Sequence, residues 1–341
     1  MSSDRQFHPP RATGHQPRPS ARVLVVGRRG RVAAALGRAV RPASWSLARV
    51  GRDGVDLTDA GSVDRLIERF RPDVVVNVAG FADVDGAERA PEAARALNAE
   101  GPRHLAAAVA RLGASLVHLS TDYVFDGRLG RPYRPDDPTC PLSVYGRTKA
   151  DGEEAVRAAC PRHAIVRGAW LFDAASRNFV TAVLARAAGQ SRIPVVADQT
   201  GSPTATNDLA ASLVALVACL LAGRAEAIGT HHAVGAGHAT RHALAAAVLD
   251  AAAARGLPTA RAVPVPTRRE PGAAPRPGWS VLDPTGLARL TGRPPRPWRD
   301  AVADVVAAIA VAGPVPADRP SVPDVQRRFL PFQPASEGFS R

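Results

Sequence analysis

The chain is almost without lysine. Its 44 Lys plus Arg residues include a single lysine, Lys149, so nearly every cationic position is a planar, always-charged guanidinium. Three cysteines, Cys140, Cys160 and Cys219, are an odd number at no metal-ligand spacing. That argues against a disulfide framework and fits the reduced thiols of a cytoplasmic protein. Aromatic content is only 5% and the arginines are scattered, so the net charge of +13 builds no basic, aromatic-interleaved face for nucleic acid. An anionic small substrate or cofactor uses that charge better. No uncharged apolar run reaches the roughly 18 residues of a membrane span. The longest, LAASLVALVACLLAG from Leu209, reads as a buried helix. Residues 1–20 lack the apolar core of a signal peptide and read as a disordered basic arm, with a Pro-rich disordered tail over 313–341.

What is present is an alternation of strands and helices. The β-branched run Val23–Val26 predicts a buried parallel strand, followed by a turn at Gly27 and an alanine-rich helix from near Gly30. Further strands are expected over Trp45–Val50, Asp73–Asn77 and Ser115–Leu119, with helices over Ser62–Phe70 and Pro91–Leu112. This spacing argues for an α/β fold, a Rossmann-like doubly wound parallel sheet, over residues 21–170. Residues 171–312 should mainly form a smaller C-terminal α/β substrate lobe. It includes helices Asn207–Ala222 and Thr240–Ala254 and a strand carrying His231 and His232, and the chain may cross back from it.

A strand, a glycine turn and a helix start leave free backbone N–H groups able to hold a pyrophosphate. Gly27 and Gly30 supply the turn, in a G-x-x-G-x-x-A spacing with Ala33 last. Sites that select NAD place an acid after the second strand to bind the ribose 2′-hydroxyl. Here Gly51 and Arg52 follow it, with Arg28 and Arg29 in the glycine turn. Either these arginines suit a 2′-phosphate, favouring NADPH over NADH, or they are solvated surface. The backbone of Val78, Ala79 and Gly80 would line the nicotinamide side.

The solitary lysine lies four residues after Tyr145. If Tyr145 opens a helix, Lys149 shares its face one turn on. An adjacent ammonium stabilises a phenolate and lowers the phenol's pKa, making the pair a proton acid near neutral pH. Thr121, just past the C-terminal end of the fourth strand, can hold the oxygen that receives the proton. Asp136 and Asp137 before Pro138 read as turn formers.

Several segments, taken in order, resemble the dTDP-4-dehydrorhamnose reductase family of the extended short-chain dehydrogenase/reductase superfamily. They are Asn77-Val-Ala with Val84-Asp85 and Ala87-Glu88, STDYVFDG (Ser120–Gly127), P-x-x-x-YG-x-TK (Pro141–Lys149) and Gly152-Glu153. RGAWLF (Arg167–Phe172), NFV (Asn178–Val180), DQTGSPT (Asp198–Thr204), RPGWSVLD (Arg276–Asp283) and Pro297-Trp298 follow. The resemblance implies Tyr145 as proton donor, Lys149 as its electrostatic partner and ribose ligand, and Thr121 as the group polarising a 4-keto oxygen. It implies cofactor contacts at Gly30, Arg31, Val32, Asp56, Leu57 and Val78–Gly80. Substrate contacts would come from Asp122, Tyr123, Asn178, Gln199, Arg276 and Trp170, the last either an aromatic plate or a core tryptophan. The implied substrate is a dTDP-linked 4-keto-sugar, handled by a monomer or homodimer with no metal, no membrane and no nucleic acid. Phe81-Ala82 stands where the family more often has a polar pair, which leaves a different 4-keto-deoxysugar open. Tyr123 occupies the position that is Glu in sugar-nucleotide dehydratases, which favours reduction over dehydration. A non-catalytic, NADP-binding regulatory subunit of the same fold is the rival, against which the intact Thr121, Tyr145 and Lys149 stand.

Overall fold

Six parallel strands form the central sheet of the computed structural model, which describes residues 21–268 and 271–312. The arm and tail expected over 1–20 and 313–341 lie outside the described residues. Five strands come from the first half of the chain: β1 (Ala21–Val26), β2 (Trp45–Val50), β3 (Val74–Asn77), β4 (Ser115–Thr121) and β5 (His163–Gly168). The sixth is Gly229–His232, and the order across the sheet is sixth strand, β5, β4, β3, β1, β2.

Alternate side chains of a strand point to opposite faces, and the core divides accordingly. Val23 and Val25 of β1 and Val74 and Val76 of β3 join one apolar cluster, with Val32, Ala33 and Leu36 of the helix Arg31–Arg38 and Leu209, Leu213 and Leu216 of the helix Thr206–Leu221. Leu24, Val26 and Val75 join the other, with Val63 and Leu66 of the helix Ala60–Phe70, Leu105 and Val109 of Gly101–Arg111, and Val156 of Val144–Ala159. Each fully buried Val or Leu contributes roughly 1.5–3 kcal/mol. Because both faces are covered, β1 and β3 read as near-continuous apolar runs. From β1 the chain moves outward to β2, then returns to place β3 on the other side of β1. Such a reversal opens a crevice at the carboxyl ends of the two strands.

Three expectations change. The strand carrying His231 and His232 belongs to the central sheet, not to the C-terminal lobe: it pairs in parallel with β5 and covers an edge that would otherwise be open. The helix over Thr206–Leu221 likewise packs on the helix Arg31–Arg38 beneath the central sheet. The helical stretch from Pro91 is broken, with Pro91–Arg95 and Gly101–Arg111 joined by a π-helical turn over Ala96–Glu100.

The C-terminal lobe is built around a second core. Helices Phe179–Ala187, Arg241–Ala253 and Trp298–Ala312 pack through Val180, Val183, Leu244, Val248, Val302 and Val306. A parallel pair, Arg192–Val196 with Arg261–Val265, lies beside them. Two short pairings, Leu171–Phe172 with Thr204–Ala205 and Thr200–Gly201 with Ala239–Thr240, draw this lobe over the strand ends.

Candidate active site

The helix Val144–Ala159 starts where the sequence programmes it. Ser143 caps it, its hydroxyl accepting from the Gly146 N–H at 3.1 Å, and Glu88 accepts the Val144 N–H at 2.8 Å. A Cβ at Gly146 would lie 2.2 Å from the Tyr123 carbonyl oxygen. Only glycine lets this first turn approach the short 3₁₀ helix Asp122–Val124 so closely, and the approach sets Tyr145 edge-on to Tyr123, ring centroids 5.6 Å apart.

Thr121 is the last residue of β4, not the residue beyond it. Its hydroxyl donates to Asp122 Oδ1 at 3.1 Å, accepts from the Tyr123 N–H at 3.2 Å and lies beside the Tyr145 phenol, whose pKa it lowers. Asp122 is buried, and its Oδ2 accepts from the Ser280 hydroxyl at 2.6 Å. Burial raises the Asp122 pKa to about 6 against the lowering by Ser280 and Thr121.

Lys149 is buried, one turn beyond Tyr145, and its Nζ donates to the Leu119 carbonyl at 2.6 Å. Burial lowers its pKa to about 8, while Glu153 a further turn along favours the charge. The His118 ring lies 3.4 Å from Lys149 Nζ and 3.1 Å from Asn77 Nδ2, and burial followed by the Lys149 charge holds it well below the usual histidine range. The expected acidification of Tyr145 by Lys149 is not what this pocket shows. Burial raises the phenol, with Asp122 and Tyr123 adding to the rise and Thr121 opposing it. The ammonium is turned toward the backbone of β4 instead.

At the crevice, Gly27 adopts φ +118, and a Cβ there would lie 2.9 Å from Val78 Cγ2 and 3.2 Å from the Ala79 nitrogen. Glycine is thus required both by the left-handed backbone and by the closeness of β3's end. Gly30 caps the helix Arg31–Arg38 without any side-chain bond, and the space where its Cβ would lie is open. The first N–H groups of that helix are free for a pyrophosphate. A dinucleotide fits this cradle.

A glycine turn lies at the β1–β3 crevice and Thr121, Tyr145 and Lys149 lie at the end of β4, where the resemblance expected them; the comparisons with known proteins bear on the family. The family model described as the RmlD substrate binding domain matches residues 21–311. A dTDP-4-dehydrorhamnose reductase from Mycobacterium tuberculosis is 40% identical over 317 residues, covering 89% of this chain and 99% of that protein. The chain belongs to the dTDP-4-dehydrorhamnose reductase family.

Another relative of this reductase family, a probable dTDP-4,6-dihydroxy-2-methyloxan-3-one 4-ketoreductase from Streptomyces antibioticus, is 41% identical over 308 residues, covering 87% of this chain and 99% of that one. Among solved structures, the dTDP-4-dehydrorhamnose reductase of Bacillus anthracis in complex with NADP superposes with a TM-score of 0.76 at 28% identity, covering 84% of this chain and 99% of its own.

Within this reductase fold the remaining expected site residues divide. Val78 and Ala79 adjoin the glycine turn, and Gly80 lies against Asn98, whose amide bonds the Phe81 backbone and Thr148. The Arg31 guanidinium is taken by the Leu171 and Arg177 carbonyls at 2.9 and 3.3 Å. Val32 is core. Asp56 closes a local turn on Thr58, and Leu57 is buried. Arg29 and Arg52 are exposed, while Arg28 pairs with Asp53 at 2.5 Å. Asp53 is therefore an acid just past β2 that sequence reasoning passed over.

On the substrate side, the Asn178 side chain is fully committed to capping. It accepts from Val180 and Thr181 and donates to the Asp173 and Ser176 carbonyls. Arg276 forms a bidentate pair with Asp85 at 2.8 and 3.0 Å. Gln199 donates to the Thr267 hydroxyl at 3.0 Å, and Trp170 lies directly under Arg241. Arg241, His118, Asp85 and Ser280 were not legible as site residues. Among the described residues no group of three or more His, Cys, Asp or Glu side chains is arranged to hold a metal, and no helix is long and apolar enough to cross a membrane.

Proposed function

We propose that the protein reduces the C4 keto group of a dTDP-6-deoxy-4-keto-sugar, converting dTDP-4-dehydro-L-rhamnose to dTDP-L-rhamnose with NADPH. The observation that carries this reading is the meeting of Thr121 at the end of β4, Tyr145 in the first turn of its helix and a buried Lys149 one turn on, at the strand ends next to the glycine turn. The reductases named above and the NADP complex of a neighbouring structure support it.

Gly27, Gly30 and the free N–H groups after them would hold the pyrophosphate, with Val78–Gly80 along the nicotinamide side. Bound NADPH supplies the hydride. Thr121 would hold the carbonyl oxygen, and Tyr145, which its surroundings keep protonated at neutral pH, would give its proton to that oxygen as C4 gains the hydride. Lys149 would hold the nicotinamide ribose, and solvent would restore the proton of the resulting phenolate. Asp122, fixed by Ser280, would hold the Thr121 hydroxyl before substrate arrives, and Thr121 would swing its single proton from Asp122 to the carbonyl oxygen when the sugar binds.

An NADPH-consumption assay with dTDP-4-keto-6-deoxy-L-mannose tests the proposal. Turnover on the scale of typical enzymes, about 1–10³ per second, is the expected result, and none would overturn it. The Phe81-Ala82 pair and the Streptomyces antibioticus ketoreductase favour one second reading, a different dTDP-linked 4-keto-deoxysugar. Slow turnover with the first sugar, restored by another, would select it.

A further inference from the structure

Arg241 opens the helix Arg241–Ala253, behind the Thr240 cap, and its own N–H donates to the Gln199 carbonyl at 3.1 Å. Its guanidinium carbon lies 3.5 Å from the Trp170 ring centroid and 5.3 Å from that of Phe179. Trp170 is itself held in a costly conformation. Its φ is +45, in the left-handed region, and a Cβ at Gly201 would fall 2.4 Å from its ring. Non-glycine residues persist there only where the surroundings over-determine them, which happens most often at ligand sites. The strain serves to lay a flat ring beneath one cation.

The electrostatics around that cation are unbalanced. Arg241 and Arg276 lie on either side of the Tyr123 phenol, a neutral group, close enough for each to act on it electrostatically and for the Arg276 charge to disfavour that of Arg241. Arg276 is compensated by its bidentate pair with Asp85. Arg241 has no carboxylate within 4.0 Å among the described residues. Asp122 is the nearest acid to influence it, but that carboxylate's oxygens are taken by the Ser280 and Thr121 hydroxyls. A half-buried guanidinium without an ion partner, facing a second one, is costly unless an anion joins them.

We propose that Arg241, braced on Trp170, is the residue that binds the diphosphate of the nucleotide-sugar. Arg276, which the resemblance implied as a substrate contact, then plays the lesser part because Asp85 already occupies it. A diphosphate accepts two parallel N–H bonds from one planar guanidinium, and its negative charge would offset the repulsion between the two arginines. The start of the Arg241–Ala253 helix adds the favourable end of a helix dipole. Tyr123, which both arginines reach, stacks edge-on to Tyr145, so the anion site adjoins the proposed proton donor. This assignment rests on the reductase reading, yet its core, a nucleoside diphosphate held by Arg241, is tested apart from it.

The experiment is calorimetric titration of wild-type protein and Arg241→Met, whose unbranched side chain keeps the packing on Trp170, with dTDP, thymidine and NADPH. The dTDP Kd should rise at least tenfold, with thymidine and NADPH within twofold of wild type, and Arg241→Lys should recover part of the loss. An unchanged dTDP affinity would make Arg241 a packing residue only and overturn the proposal. Equal losses for thymidine and dTDP would overturn it too, by showing a collapsed lobe. UDP and GDP, titrated in parallel, separate the two readings. If wild type prefers UDP and Arg241→Met loses it, Arg241 keeps its role while the dTDP-sugar reading falls. Absence of binding by every diphosphate would end the proposal.

Discussion

Lys149 is bonded to the backbone of β4, its Nζ donating to the Leu119 carbonyl at 2.6 Å. The ammonium is thereby fixed one helical turn from Tyr145, and burial lowers its pKa to about 8. Tyr145 stays protonated well above that pH because burial raises it. The first group of this pair to lose its working form as pH rises is therefore the lysine. Turnover should fall along an alkaline limb centred near pH 8, measured as kcat against pH with saturating NADPH. A flat profile to pH 9.5 would show that the Lys149 charge is not needed.

Tyr145→Phe removes the transferable proton and leaves the ring against Tyr123. The loss in kcat should be about 10²–10⁴-fold, the usual contribution of a positioned general acid. The NADPH Kd should stay within about twofold, since the glycine turn that would hold the pyrophosphate is separate from the phenol. A variant keeping over a tenth of the wild-type rate, read in single-turnover NADPH oxidation, would remove Tyr145 from the donor's role.

Lys149→Met should cost activity and raise stability. A lysine lowered from 10.5 to about 8 destabilises the fold by about 3 kcal/mol where both states are charged. The sign follows from proton counts: between these two values the unfolded chain binds more protons, so wild-type stability climbs as pH rises. The variant's advantage should be full below pH 8 and shrink toward pH 10. Urea unfolding at pH 7 and pH 9.5 measures it, and a constant difference between the two would contradict the linkage.

The parts legible in sequence were those written locally. Val23–Val26 followed by Gly27 gives both a strand buried on two faces and the turn after it. Tyr145 and Lys149 are related by one helical turn, and Thr121 by the end of an apolar strand. The resemblance carried the family. What stayed hidden depends on distant returns of the chain. Asp85 meets Arg276 across 191 residues, and Ser280 meets Asp122 across 158. Arg241, in a chain this rich in arginine, opens an alanine-rich helix and looks like solvated surface until Trp170 is seen beneath it. GTHH lacks the apolar run that marks a sheet strand, and only the open edge of β5 explains its place. Asn178 resembled a ligand contact because a capping asparagine and a binding one have the same sequence signature.

Glu153 and Arg167 tie the helix of Tyr145 to β5 through bonds of 2.7 and 2.9 Å, with both side chains almost wholly buried. Glu153→Gln leaves the Arg167 charge without a full partner, and breaking one side of a buried pair costs about 3–5 kcal/mol. Replacing both residues by methionine should cost less than the single change, because the one charge that then loses Glu153 is the partly exposed Arg157, which keeps Glu154. Urea midpoints of the two variants decide it. A double variant less stable than Glu153→Gln would mean that the pair gives net stabilisation beyond packing.

Cofactor choice should turn on Asp53. It follows β2, where a carboxylate favours the ribose 2′-hydroxyl of NADH, and it also ties up Arg28 at 2.5 Å. Asp53→Asn removes the acceptor that suits NADH and releases a guanidinium for the 2′-phosphate of NADPH. Both effects act in one direction, so NADPH binding should tighten and NADH binding weaken. Each change should be roughly three- to tenfold, the scale of one hydrogen bond at about 1 ± 0.5 kcal/mol. Because the pair is exposed, the NADPH gain should shrink as salt rises. Fluorescence titration with both nucleotides at 50 and 300 mM salt would read this out, and tighter NADH binding in the variant would place the adenosine ribose away from the end of β2.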